Sequence, residues 1–127
     1  MNTRVLMAAS AVFMAISGVI FSFLPHEILA FANAPVSEFT ALIFQLTGAL
    51  YLGFAMLNWS AKNNLIGGIY SRPLAFGNFL HFVAGGLALL KGAMTNGQTE
   101  IWALAVVYLV FAALFGFVTF THPKAAN

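Results

Sequence analysis

Eight formal charges punctuate the 127-residue chain: Arg4, Glu27, Glu38, Lys62, Arg72, Lys91, Glu100 and Lys124. They leave four charge-free windows of 18 to 23 residues, at 5–26, 39–61, 73–90 and 101–123. At about 1.5 Å of rise per residue, a helix over any of them crosses a hydrocarbon core of roughly 30 Å. The charges also sort by sign. With the N-terminus in the cytoplasm, Arg4, Lys62, Arg72 and Lys124 fall inside, while all three acids fall outside with Lys91. That is the bias of positive charge toward the cytoplasmic face that orients membrane proteins.

The residues between the charges exclude whole classes of function. Apolar residues make up 61% of the chain and charged residues 6%, against about 25% charged in a soluble domain. The few basic residues are too scattered to form a phosphate-binding stripe, so nucleic acid is not an expected partner. Cysteine is absent, which removes disulfides, thiolate metal sites and cysteine nucleophiles. Aspartate is absent too, and no carboxylate lies inside a window. The serine elbow, the His-Glu-x-x-His helix and the glycine-rich phosphate loop are all missing. His81 alone is an intramembrane histidine; His26 and His122 sit near opposite interfaces, so no bis-histidine haem site forms. A metal site from His26, Glu27 and Glu38 lacks ligand spacing. No enzyme activity, cofactor or metal is expected.

Backbone polar groups must pair within a segment when lipid surrounds it, so the windows are read as helices over about 5–23, 39–59, 73–90 and 101–121. Arg4 followed by an apolar run and Ala30-Phe31-Ala32 resembles a secretory leader. The run from Val5 to Leu24 is longer than a leader core, so it is expected to remain as the first span. Pro25 ends that span, and His26 to Phe31 forms a short amphipathic turn at the outer interface. Ser37 is the expected N-cap of the second helix, and Trp59 its inner boundary. Gly67 and Gly68 give turn chemistry to the inner loop, Tyr70 marks the interface again, and Pro73 opens the third helix. Lys91-Gly92 closes that helix before a polar outer loop, and Pro123 precedes a short tail. The expected architecture is a single transmembrane domain over 1–127. It is an all-α integral membrane four-helix bundle, up-down-up-down, with both termini inside.

Small residues recur at helical spacing, which marks faces that let backbones approach in lipid. The third helix carries Gly77, Asn78, His81, Ala84, Gly85 and Ala88 on one stripe. The second carries Gln45, Gly48, Ala49 and Gly53; the fourth Ala105, Tyr108, Ala112, Gly116 and Thr119; the first Ala11, Ala15, Gly18 and Ser22. Gly48, Gly53, Gly77, Asn78, Gly85 and Gly116 are therefore candidate packing positions. Ser17, Gln45 and Tyr108 lie roughly 10 Å below the outer ends of their helices, with His81 a little deeper. These four are the candidate lining of a polar pocket in the outer half of the bundle, or the hydrogen-bonding groups that hold its helices together.

The segment Gln45-Leu46-Thr47-Gly48-Ala49-Leu50-Tyr51-Leu52-Gly53, and Arg72-Pro73 leading to Gly77-Asn78 and His81, resemble small bacterial four-helix proteins of the DoxX-like kind. The likeness covers about a third of the chain. It implies the bundle fold and a bacterial inner (cytoplasmic) membrane, and it carries over no functional residue. Small multidrug exporters share the size but depend on an acid inside the first helix, which this chain lacks. The expected function is that of a non-enzymatic multi-pass membrane protein, acting as a homo-oligomer or as an accessory subunit of a larger membrane complex. The alternative is a small-molecule or lipid carrier or channel that uses the outer polar pocket. Membrane lipids are expected partners in either case.

Overall fold

A computed structural model describes residues 2–64 and 71–121. The expected turn at Gly67-Gly68, the interface residue Tyr70, and the tail with His122, Pro123 and Lys124 lie outside the described residues. The described residues are all-helical, with five helices: α1 Thr3–Phe23, α2 Pro25–Phe31, α3 Glu38–Ala61, α4 Arg72–Asn96 and α5 Thr99–Phe120. Four of them, α1, α3, α4 and α5, are long and apolar enough to cross a membrane. The fifth, α2, is the segment read as an amphipathic turn. Its Pro25 ring cannot continue α1 but suits the first turn of a new helix.

The chain divides into two compact units. Val5–Lys62 holds α1 from Val5 onward, α2 and α3. Pro25 and Leu29 of α2 are buried, while His26, Glu27 and Phe31 face outward. Asn33, at φ +54°, turns the chain after α2, and the Ala34 N–H reaches back to the Leu29 carbonyl at 2.9 Å. Ser37 then caps α3 as the sequence suggests. Its hydroxyl accepts from the Thr40 N–H at 3.1 Å, and the Thr40 hydroxyl accepts from the Ser37 N–H at 3.0 Å. Contacts between α1 and α3 pair Ser22 with Gly48, Gly18 with Leu52, and Ser10 with Asn58, so the two helices run antiparallel.

The second unit contains α4 and α5, joined through Gly97 and Gln98. Here the structure corrects the expected end of the third span. The helix does not stop at Lys91-Gly92; it continues to Asn96. Gly92 lies opposite Ile101 of α5, and Ala93 is fully buried, so packing holds an extra turn that local signals did not require. The stop is Gly97, whose φ of +67° places it in the left-handed region and whose N–H bonds the Ala93 carbonyl at 2.8 Å. Contacts pair Gly92 with Ile101, Gly85 with Tyr108, Gly116 with Phe79, and Phe76 with Phe120. This is an antiparallel hairpin.

Buried positions repeat with a period near 3.5 residues. In α5 they are Ala105, Tyr108, Ala112, Phe115 and Thr119; in α3, Ala41, Gly48 and Ala55 stand seven apart. That period is the seam of left-handed helix packing. Polarity across the seam is inverted relative to a soluble protein. Ser10, Asn58 and Asn78 are completely buried, while Leu80, Leu50 and Phe39 are 67–71% exposed. In water such a surface would aggregate; in lipid it costs nothing, and the buried amides find partners inside.

Candidate functional site

The α4–α5 hairpin builds an aromatic cluster around a histidine. Phe82 is its centre: fully buried, it stacks on Phe111 at 4.8 Å and on Phe115 at 5.7 Å, and meets Tyr108 edge-on at 5.2 Å. His81 is half-buried beside it, with its ring 5.0 Å from Phe82 and 5.5 Å from Tyr108. The glycine at 85 explains how the tyrosine fits. A Cβ there would stand 2.6 Å from Tyr108 Cε1, so the absent side chain is the notch that the phenol ring fills. On the same pair, a Cβ on Gly116 would stand 3.0 Å from Phe79 Cε2, so the edge of that ring fills the space.

The α1–α3 hairpin builds a polar link instead. The Asn58 side-chain amide donates to the Ser10 hydroxyl at 3.0 Å, and that hydroxyl donates onward to the Met7 carbonyl at 3.0 Å. Both side chains are fully buried. Closer to the other end of these helices, a Cβ on Gly48 would stand 2.7 Å from the Ser22 nitrogen and 2.8 Å from the Gly18 carbonyl oxygen, with the Ser22 hydroxyl nearer still. Backbone therefore meets backbone at this crossing.

Of the four residues read as a polar pocket, the structure brings His81 and Tyr108 together within the α4–α5 unit. Ser17 and Gln45 belong to the other unit, where Ser17 is half-buried on α1 and Gln45 is exposed on α3. Among the packing candidates, Gly48, Gly85 and Gly116 each face a close neighbour. Asn78 is fully buried and donates to the Leu74 carbonyl at 3.0 Å. At Gly53 and Gly77 nothing beyond the helix's own backbone lies, among the described residues, within 4 Å of where a Cβ would be. The reason is rotation of the faces. On α3 the side toward α1 carries Ala41, Gly48 and Ala55, at intervals of seven, and Gly53 falls outside it. On α4 the buried side is Ala75, Asn78, Phe82, Gly86 and Ala93, so Ala84 and Ala88 of the expected stripe are exposed.

Sequence pattern alone misses the Ser10–Asn58 link. Asn58 stands one position before Trp59 and so reads as an interface residue, although an amide inside a charge-free window needs a partner. At the opposite boundary, His26 Nε2 and Glu38 Oε1 approach to 3.8 Å, but both side chains are largely in the open. No group of three histidines or acids suited to a metal ion occurs among the described residues. No protein-family model, curated protein or solved structure matches the chain.

Proposed function

We propose that this chain is a non-enzymatic multi-pass protein of the bacterial inner membrane that works as a homo-oligomer or as an accessory subunit of a larger membrane complex. Its four long helices run up-down-up-down, with both ends in the cytoplasm. One observation carries the reading: Gln45 is exposed on α3 about 10 Å from the start of that helix. An amide held in hydrocarbon without a partner is costly, and a neighbouring helix with a polar group of its own relieves it. Ala49 and Gly53 continue the line of Gln45 at intervals of four, and both are exposed. They supply the small-residue approach that membrane helices use to associate. The likeness of Gln45–Gly53 and of Arg72–His81 to DoxX-like proteins supports the same architecture and membrane.

The test is the assembly state of the purified chain in mild detergent, by sedimentation and chemical cross-linking. The reading expects an oligomer or a co-purifying subunit, lost in Gln45→Leu and Gly53→Leu variants that keep wild-type helicity. A monodisperse monomer with no companion overturns it. Tagging the C-terminus checks the orientation, and a periplasmic tag overturns that part.

A second reading, the carrier or channel, is favoured by the meeting of His81 and Tyr108 at 5.5 Å. It expects His81→Ala to abolish transport with thermal stability intact. A structural role for His81 expects a change in stability or assembly alone.

A further inference from the structure

Between α1 and α3 lies a cleft lined only by apolar side chains: Ala11, Ala15 and Ala55 at its floor, with Val12, Met56 and Trp59 around it. Its volume is about 250 Å³. The lining on α3 runs from Leu52 to Trp59, an advance of about 10 Å along the helix. A single hydrocarbon chain suits a groove of that length with a wholly apolar lining. The depth of about 10 Å also stays within one leaflet, roughly half of a 30 Å core.

The end of the cleft changes character sharply. Lys62 follows the last turn of α3 and holds its ammonium 3.0 Å from the centre of the Trp59 ring. A cation over an indole at a helix end is the chemistry of the membrane interface. The two acids of this unit, Glu27 and Glu38, precede or open α3, about 35 Å away along its axis, so no carboxylate of the unit competes for the ammonium. An apolar slot one leaflet deep that ends in a cation is complementary to an amphiphile with an anionic head.

We propose that the α1–α3 cleft is a binding site for an anionic phospholipid, with one acyl chain against Ala11, Ala15 and Ala55 and the headgroup phosphate at Lys62. The site lies at the opposite end of α3 from Gln45 and does not depend on the assembly reading. The test uses the full chain in phosphatidylcholine vesicles, with chain-labelled spin probes of phosphatidylglycerol or phosphatidylcholine. One basic residue at the surface favours the anionic probe by about fivefold in relative association. Lys62→Gln brings the two probes to parity, although Arg4, Arg72 and Lys124 remain. Ala15→Phe, which fills the slot, reduces the immobilised fraction of both. Equal association in the wild type, or an anionic preference that survives Lys62→Gln, overturns the site. Because the chain has no cysteine, Val12→Cys gives an independent readout. Labelling by a lipid-soluble thiol reagent, slowed by added phosphatidylglycerol, supports the site. Disulfide-linked dimers through Cys at 12 would assign the cleft to a second copy and overturn it.

Discussion

Gly48→Ala gives the sharpest test of how α1 and α3 meet. The added methyl would sit 2.7 Å from the Ser22 nitrogen and 2.8 Å from the Gly18 carbonyl oxygen. Ordinary contact begins near 3.4 Å, so α1 must retreat by about 0.7 Å. Neither obstacle is the tip of a flexible side chain; both are backbone, so no rotamer change relieves the clash. Overpacking of this kind costs up to about 3 kcal/mol. Alanine recovers about 1 kcal/mol through its better helix propensity. The net expectation is a loss of about 2 kcal/mol, larger if the retreat reaches the Ser10–Asn58 bond, where such interhelical bonds average about 0.6 kcal/mol. Gly53→Ala is the matched control. It places the same chemistry on the same helix, but with nothing within 4 Å, and is expected to be neutral or slightly stabilising. The assay is reversible unfolding in mixed detergent micelles, followed by far-ultraviolet circular dichroism. Equal stabilities for the two variants, or a Gly48→Ala within about 0.5 kcal/mol of wild type, the usual range for a substitution that touches nothing, would refute the close crossing.

Two further outcomes follow from the same contacts. Gly85→Ala drives a methyl to 2.6 Å from the Tyr108 ring and is expected to destabilise by about 1–3 kcal/mol; because the obstacle is a side chain, Tyr108→Leu should suppress most of the effect, and thermal melting of the single and double variants measures that coupling. For the polar link, a double-mutant cycle of Ser10→Ala and Asn58→Ala should give a coupling of about 0.6 kcal/mol and no more than about 1.7, read from the same unfolding titrations; additive effects would mean that the bond does not form in the membrane.

The spans were legible because charge in hydrocarbon is expensive, and an apolar run of about 18 residues without one is long enough to cross the core. The Ser37 cap was legible because capping is local: four consecutive residues contain both partners. The faces were harder. In water, apolarity tells which side of a helix is buried, but in lipid both sides are apolar and only size and shape distinguish them. Small residues marked Gly48, Gly85 and Gly116, each against a close neighbour, but marked Gly53 and Gly77 equally, where a Cβ would meet nothing within 4 Å. They also hid Met7, Met14 and Phe82, which are large, apolar and fully buried. Phe82 fills space at the hairpin centre, and its neighbours Phe111 and Phe115 come from α5, beyond the reach of a pattern read along α4. The end of α4 fails for a related reason. Gly92 has the local credentials of a stop, but a glycine inside a helix costs only about 1 kcal/mol, which packing against α5 offsets.

The two proposals make α3 the helix on which function turns, and its ends differ for a physical reason. Its first half exposes Gln45, an amide that lipid cannot satisfy, and the assembly proposal seats a protein partner there. Its last turns expose Met56 and Trp59 beside an apolar slot, which lipid satisfies fully. A partner seated on the line Gln45–Ala49–Gly53 would leave the slot open to a lipid chain, since the slot's lining starts at Leu52 and is shared with α1. Assembly and lipid binding are then separable by mutation: Gln45→Leu should change the first without the second, and Lys62→Gln the second without the first. If either substitution altered both, the two ends of α3 would be coupled, and the slot would have to be read as part of the subunit interface.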